Sequence, residues 1–416
     1  MSEWKTIGEI AEIYDGPHAT PKKIENGYYF LSISSLLNGK LDLSKSSKIC
    51  EEDYKKWTKR IVPIEGDLLF SYETRLGEAA LMPANLQACL GRRMGLLRPN
   101  LNFVRSDFLL FAWLSPEFQK VIKQNTITGA TVERIALSEL SDFPILLPSL
   151  LEQEKIVKIL TKLDQKIALN NQINEELEAM AKTLYDYWFV QFDFPDENGK
   201  PYKSSGGKMV YNDQLKREIP EGWGVKQLGD IETNIVTGKT PSRSIPENFG
   251  GDIPFITIGD IRGNTFIYSS AETLSDLGAE EQNKKYLPPN SLCVSCIATV
   301  GEIGFTTQLS QTNQQINSII FNDVNHMYFL YFALKLFFES SKTKTGNTFA
   351  NMSKDDFSKI LIIYPDSSVI KNYYEKVKSM FDKIKCLQLQ NQELTKLRDW
   401  LLPMLMNGQV KVEDKT

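Results

Sequence analysis

The sequence predicts a mixed α/β (α+β) fold with two duplicated globular domains, each followed by one long helix. Three observations support this prediction: an internal repeat, an apolar pattern of coiled-coil period at the end of each repeat, and a polar, turn-rich stretch between them. A chain of 416 residues is also longer than one domain, which usually has about 100–200 residues.

The repeat is visible as an ordered series of matching segments. These are residues 20–23 with 240–243, 30–36 with 255–261, 71–78 with 295–302, and 128–131 with 345–348. Strand-like runs and helices such as residues 107–124, expected as one helix, alternate within each half. The predicted organisation is a first domain (1–150), a long helix (151–190), a polar linker (191–222), a second domain (223–366), and a second long helix with a tail (367–416).

Apolar residues in both helical segments recur at alternating steps of four and three, which is the 3.5-residue period of a coiled-coil seam. Asn174 and Asn391 occupy the same slot in the two series, and a buried asparagine on a seam costs stability but fixes register. One alternative is a single amphipathic helix lying on its own domain; two equivalent runs favour helices that pack on each other. The predicted seam residues are Ile156, Leu160, Leu163, Ile167, Asn174, Leu177, Leu184, Val377, Met380, Ile384, Leu387, Asn391, Leu394 and Leu401.

Motifs for catalysis or metal binding are weak. Residues 238–240 (GKT) resemble the end of a phosphate-binding loop, but Thr233 stands where that loop needs glycine. Cys293 and Cys296 form a CxxC without a second pair, so packed thiols are expected rather than a metal site. We therefore expect a non-catalytic chain that holds no metal and no cofactor.

Composition indicates a cytoplasmic protein. Five cysteines are an odd and sparse set that suits a reducing compartment. The first residues lack the basic and apolar regions of an export signal, and no apolar run is long enough to span a bilayer. A net charge of −4 gives no sign of a polyanionic partner.

Three segments resemble the specificity subunit of type I restriction-modification systems: the central helix (151–189), the linker FDFPDENGKPYKSSGGKMVYNDQLKREIPEGW (192–223), and NQELTKLRDWLLPMLMNGQVKV (391–412). The resemblance implies two target-recognition domains that each read half of a bipartite, asymmetric DNA sequence. It also implies that the helices pack antiparallel as a spacer and dock two modification subunits. Those partners would use S-adenosylmethionine, and restriction/motor subunits would use ATP and Mg²⁺.

DNA contacts are then expected from repeat-equivalent loops, because phosphates attract Lys and Arg while base edges suit Arg, Asn and Gln. Arg92-Arg93 is replaced by Gln314-Gln315 at the equivalent place, so the two domains could read different bases. The alternatives are a tandem-domain coiled-coil scaffold without a nucleic-acid role, and an enzyme with scattered catalytic residues. The candidate contacts are Thr20, Lys22, Lys23, Tyr72, Arg75, Arg92, Arg93, Thr128, Thr131, Lys239, Thr240, Ser242, Arg243, Arg262, Asn313, Gln314, Gln315, Asn347 and Thr348.

Overall fold

The structure, a computed structural model, describes residues 2–17, 19–127, 132–345 and 351–412. The chain divides into two compact units, residues 1–167 with 393–416 and residues 168–392. Each unit contains one globular domain together with one end of each of two long helices. The first long helix is Leu150–Tyr185, continued by a π-helical turn at Asp186–Val190, and the second is Ser367–Met406.

The first domain is built around a four-stranded antiparallel sheet. Its strands lie in the order Ala11–Asp15, Met94–Pro99, Leu68–Ser71 and Ala79–Leu81. Every residue of Leu68–Ser71 is buried. A short, continuous apolar run is typical of such a central strand. The remaining strands are Glu3–Thr6, Tyr28–Phe30, Leu36–Leu37, Lys40–Leu41, Ser47–Ile49, Ala88–Cys89, Thr126–Ile127, Arg134–Ile135 and Pro144–Leu147, and the helices are Ile7–Ile10, Ile33–Ser35, Leu43–Lys45, Glu51–Trp57, Ser106–Leu114, Pro116–Gln124 and Leu140–Asp142.

The second domain repeats this sheet and adds a fifth strand. The order is Ile235–Thr237, Ile316–Ile319, Leu292–Ser295, Ile303–Thr306 and Phe266–Ile267, with the last strand parallel to its neighbour. The remaining strands of the second unit are Met209–Asn212, Arg217–Pro220, Gly224–Gln227, Phe249–Ile256, Glu272–Leu274, Gln311–Thr312 and Leu361–Tyr364, and the remaining helices are Leu228–Ile231, Pro246–Asn248, Ile258–Ile261, Asp276–Glu280, Asn283–Lys285, His326–Thr345 and Lys354–Ser358.

The expected helix over residues 107–124 is wrong: the structure has two helices, Ser106–Leu114 and Pro116–Gln124. The Ser115 side chain accepts a hydrogen bond from Phe118 N, and proline occupies the first position of the second helix. Proline fits a first helical turn, whereas inside a helix it removes a main-chain hydrogen bond and clashes with the preceding turn, so a restart at Pro116 is favoured. The corresponding helix of the second domain, His326–Thr345, is continuous. None of the helices in the described ranges combines the length and apolar character that a bilayer crossing requires.

Within the second unit, the two long helices run antiparallel and meet through a polar contact. Asn170 is fully buried, and its Nδ2 donates to Gln390 Oε1 and to Asn391 Oδ1, both at 2.8 Å. Asn391 Nδ2 in turn donates to Asn171 Oδ1 at 2.7 Å. Further along the pair, Tyr373 Oη donates to Ala181 O at 3.0 Å. Residue numbers therefore increase along the first helix as they decrease along the second, which confirms the predicted antiparallel pair.

Asn174 is a second buried asparagine on this seam. The residue is 9% exposed, and its Oδ1, like that of Asn170, has no hydrogen-bond partner among the described residues. In the register set by Asn170 and Asn391, the residue opposite Asn174 is Leu387. Leu387 also stands where the first repeat has Asn170, so the pairing of two amides is made once and its repeat-related counterpart is lost.

Within the first unit, the two long helices are also paired. Arg398 Nη1 donates to Asp164 Oδ1 at 2.9 Å, an ion pair between half-buried side chains. Leu405 and Met406 belong to the same apolar cluster as Ile156 and Leu160. The predicted seam positions of both helices are buried or half-buried throughout, which confirms that the period of 3.5 marked a packed interface.

A half-buried carboxylate links the first long helix to the second domain. Glu178 accepts hydrogen bonds from Tyr331 Oη at 2.8 Å and Thr265 Oγ1 at 3.0 Å, and it forms an ion pair with Lys335. Burial alone would raise the pKa of Glu178, but Lys335 and the two hydroxyls outweigh it and lower that pKa. The second long helix contributes Gln388, whose Oε1 accepts from Phe266 N at 2.9 Å.

The expected linker is an ordered part of the second unit. Phe194 stacks on Tyr202 and on Trp223, with ring centroids 4.7 and 4.9 Å apart. A two-stranded hairpin, Met209–Asn212 with Arg217–Pro220, fills the turn-rich stretch. The glycine and proline signals therefore mark tight turns within a packed element.

Candidate nucleic-acid interface

Three loops meet at the same end of the sheet in each domain. We name them loop A (residues 16–23 and 238–243), loop B (71–78 and 295–302) and loop C (91–93 and 313–315). Loop A leaves the first strand of the sheet, loop C enters the second, and loop B leaves the third. Because these strands are antiparallel, the three loops come together at one edge.

Loops A and C touch through glycine. Gly16 N donates to Met94 O at 2.8 Å, and Gly238 N donates to Ile316 O at 3.2 Å. A Cβ at Gly16 would lie 2.4 Å from Gly91 O, and one at Gly238 would lie 2.2 Å from a loop C carbonyl. Any larger residue would push the two loops apart, which explains the glycine in both repeats.

Loops B and C are joined by one main-chain hydrogen bond that is the same in both domains. Tyr72 N donates to Arg93 O at 3.2 Å, and Cys296 N donates to Gln315 O at 2.8 Å. Loop B itself has matching backbone angles, with φ of 68° at Thr74 and 64° at the equivalent Ala298. Loop B therefore has a similar backbone turn in both domains, whereas loop C differs at Arg93, whose φ is 70° while that of the equivalent Gln315 is not positive.

A fourth segment lies beside loop B. Ile135 N donates to Tyr72 O, and the equivalent Met352 N donates to Cys296 O, both at 2.9 Å. These residues follow the segments that hold the predicted contacts Thr128, Thr131, Asn347 and Thr348, which lie outside the described residues.

Most of the predicted contact residues have accessible side chains on these loops. Tyr72 does not: it is 5% exposed and packs in the core of the first domain, so its assignment as an accessible loop residue is wrong. Its repeat equivalent, Cys296, is also buried. The exposed candidates are Thr20, Lys22, Lys23, Arg92, Lys239, Ser242, Arg243, Arg262 and Gln314, and the half-buried ones are Arg75, Arg93, Thr240, Asn313 and Gln315.

Amide side chains of loop C in the second domain are held by hydrogen bonds to loop A and within loop C. Thr240 Oγ1 donates to Gln314 Oε1 at 2.6 Å, and Asn313 Nδ2 donates to Gln315 Oε1 at 3.0 Å. Asn and Gln can donate and accept in parallel, which matches the N6 and N7 edge of adenine. The first domain has arginines at the equivalent part of loop C, and arginine matches guanine.

Several of the arginines are paired with carboxylates that the sequence reasoning missed. Arg93 Nε lies 2.8 Å from Glu73 Oε2, and Arg243 Nη2 lies 2.8 Å from Glu272 Oε2. The hydrogen bond and charge of Arg243 lower the pKa of Glu272. These glutamates fix the direction of each guanidinium before any ligand arrives.

Of the CxxC pair, Cys293 lies in the strand Leu292–Ser295 and Cys296 follows it at the start of loop B. Cys293 and Cys296 are both buried, and burial raises their pKa to about 12 and about 11. Among the described residues, no group of three or more His, Cys, Asp and Glu side chains is placed to hold a metal ion.

Comparison with known proteins gives the family. The family model of the type I restriction modification DNA specificity domain matches residues 1–179 and again residues 220–397. The chain belongs to this family. It is a specificity subunit with two DNA-recognition domains, and each match contains one set of loops A, B and C.

Relatives span the whole specificity chain. The type I restriction enzyme HindI specificity subunit of Haemophilus influenzae is 33% identical over 99% of this chain and 100% of its own length. The MjaIX specificity subunit of Methanocaldococcus jannaschii is 28% identical over 99% of this chain and 93% of its own length. A crystal structure of the type I restriction-modification S subunit from M. genitalium matches 100% of the chain and 97% of its own length with a TM-score of 0.55 at 16% identity, and so supports the fold.

Proposed function

We propose that the specificity chain reads a bipartite, asymmetric DNA target, with loops A, B and C of each domain facing one half-site. One observation carries this proposal: both domains hold three loops by equivalent main-chain hydrogen bonds, yet the loops differ in side-chain chemistry. Arg92 and Arg93 favour guanine in one half-site, whereas Gln314 and Gln315 favour adenine in the other. A scaffold without a nucleic-acid role would have no need for this combination.

Partner subunits supply the remaining affinity and the chemistry. The first domain (2–150) has 18 Lys and Arg against 18 Asp and Glu, and the second (223–366) has 11 against 15. Because phosphate contacts dominate DNA affinity, domains of this charge bind weakly by themselves. The specificity chain is non-catalytic in this proposal, and modification subunits bind S-adenosylmethionine and methylate the DNA, while restriction/motor subunits use ATP and Mg²⁺.

The long helices are the docking surface for the modification subunits and the spacer between half-sites. Exposed apolar side chains lie along both helices: Leu169 and Met180 on the first, and Leu389, Leu397 and Trp400 on the second. Exposed apolar groups that recur along one element are typical of a protein–protein interface. The 36 residues of the first helix extend about 54 Å, more than one turn of duplex, which is about 34–36 Å.

Methylation-aware sequencing tests the proposal. The chain is expressed with its modification subunit in a host that lacks other methylases, and the genomic methylation motif is read out. The expected result is a split, non-palindromic motif that disappears when the specificity chain is omitted. A continuous palindrome, or a motif that persists without this chain, would contradict the proposal.

A further inference from the structure

In each domain, an arginine side chain forms an ion pair with the equivalent glutamate at the end of loop B. In the first domain, Arg75 Nη2 lies 3.2 Å from Glu78 Oε1. In the second, Arg262 Nε lies 3.4 Å from Glu302 Oε1. Glu78 and Glu302 follow the repeated glycine and are equivalent, but Arg75 and Arg262 come from different parts of the repeat.

The two arginines bridge the same pair of elements from opposite sides. Arg75 belongs to loop B, and its Nη1 donates to Ile33 O in the short helix Ile33–Ser35 at 3.2 Å. Arg262 follows the short helix Ile258–Ile261, and its Nη2 donates to Thr299 Oγ1 in loop B at 3.5 Å.

The repeat confirms that these are the same elements. Both short helices begin with a capping box, at Ser32 in the first domain and Thr257 in the second. Aligned by the repeat, Arg75 corresponds to Thr299 and Arg262 corresponds to Leu37. A comparison of positions therefore finds no shared arginine, although the folded domains place one at the same spot.

We propose that Arg75 and Arg262 are equivalent phosphate-contacting residues of the two half-sites, and that Glu78 and Glu302 are their positioning residues. This rests on the proposed function. The base-reading candidates of loop C differ between the domains. Both domains nevertheless have an arginine paired with the equivalent glutamate, although the two arginines come from different positions of the repeat. A group that two readers of different sequences share suits the phosphate backbone, which is the same in both half-sites.

The geometry leaves donors for such a contact. The Arg75 side chain is 33% exposed and that of Arg262 is 60% exposed. Each has two nitrogens engaged with protein oxygens, so it presents its remaining N–H groups in a fixed direction. Asn38 N donates to Glu78 Oε2 at 3.0 Å, which holds the carboxylate itself in place. Exposed ion pairs add little to stability. Stabilisation of the fold alone is therefore a weak reason for both domains to have this arginine–glutamate pair at different sequence positions.

The test uses the full chain assembled with its modification subunits and duplexes that carry both half-sites. Arg75→Ala and Arg262→Ala should each weaken binding about 5- to 20-fold for every half-site sequence, with an unchanged melting temperature. The slope of log K against log salt should fall in magnitude by up to about one. The control Lys55→Ala removes an exposed cation that pairs with Glu51 outside the loops, and it should leave affinity unchanged.

Rescue from the other side of the bridge is the decisive measurement. Leu37→Arg should restore affinity to the Arg75→Ala chain, and Thr299→Arg should restore it to the Arg262→Ala chain. Failure of both rescues in folded chains would overturn the equivalence of the two arginines.

The positioning role has its own readout. Glu78→Ala should weaken binding when Arg75 is present and should not weaken it in the Arg75→Ala background. Equal losses in both backgrounds would overturn that role. A change of base preference at one half-site in Arg75→Ala or Arg262→Ala would overturn the phosphate assignment. A lower melting temperature with unchanged affinity would overturn it too, because it would show that the ion pair only stabilises the fold. No sequence-dependent binding by the unsubstituted complex would instead refute the proposed function, and this inference with it.

Discussion

Lengthening both long helices by one heptad at matched points should increase the separation of the two half-sites. Asn170 lies opposite Asn391 and Asp164 lies opposite Arg398, so an insertion after Ile167 is level with one after Glu393. Each inserted heptad carries apolar residues at its two seam positions, which keeps the seam in phase. Both points fall at the boundary of the compact units, so contacts inside each unit are preserved.

The repeat alone would suggest a different pair of insertion points, after Leu177 and Leu394, because these positions are equivalent in sequence. In the antiparallel register, however, Leu394 is level with Ile167, ten residues before Leu177. Insertion there would shift Asn391 past Asn170 by about 10.5 Å, and it would leave about 15 Å of the helix pair out of its native register.

The magnitude follows from helix and duplex geometry. Seven residues add about 10.5 Å of helix, and a base pair advances about 3.4 Å, so the preferred spacer should grow by about three base pairs. Three base pairs turn the duplex by roughly 100°, whereas the helix pair turns by only about 25° over that length at a pitch near 150 Å. Methylation of the longer site should therefore be restored only in part.

The assay is methylation of a set of duplexes that differ only in spacer length, with the unsubstituted complex as the reference. The half-site sequences should not change, because loops A, B and C are untouched. A folded, assembled insertion chain that still prefers the original spacer would refute the role of the helices as a spacer.

Three further predictions concern single sites. Asn174→Leu should raise the free energy of unfolding by about 1 kcal/mol because it removes a buried unpaired oxygen. Asn170→Leu also removes an unpaired oxygen, but it should lower the free energy of unfolding by about 1–3 kcal/mol because the Gln390 and Asn391 oxygens lose their shared Nδ2 donor; equal effects in thermal melts would contradict this interpretation. Arg92→Ala combined with Arg93→Ala should impair methylation at one half-site only, and a loss at both or at neither would refute the assignment. Because the folded-state pKa of Glu178 is lowered, its stabilising contribution is full above the ordinary carboxyl value of 4.5 and is lost as pH falls through the folded-state pKa. The melting temperatures of the unsubstituted chain and Glu178→Gln should then converge in acid, and a constant difference down to pH 2 would count against it.

The sequence predicted the repeat, the two long helices and their packed seam, because periodicity and turn residues are local signals. It could not predict register: a heptad pattern is the same for either helix direction, so only the folded chain shows that Asn391 faces Asn170. The helix break at Ser115-Pro116 had a local signal, a capping serine before proline, which the continuing apolar pattern obscured.

The candidate interface was predicted by location rather than by detail. Repeated turns predicted loops that the structure brings together at one end of each sheet, since equivalent turns end equivalent strands. The burial of Tyr72 could have been inferred from its equivalence to Cys296, an apolar residue in a strand-like run. The pairing of Arg243 with Glu272 could not, because it joins loops 29 residues apart whose conformations depend on the fold.

The distribution of thiols allows the unsubstituted chain to be labelled at one cysteine in each compact unit. Cys89, Cys293 and Cys296 are buried, and burial raises their pKa values to about 12, 12 and 11, so they remain protonated and unreactive. Cys50 and Cys386 are exposed, and they lie in different compact units. A maleimide donor and acceptor would therefore attach one to each unit, and energy transfer between them would report any change in their separation as duplex is added.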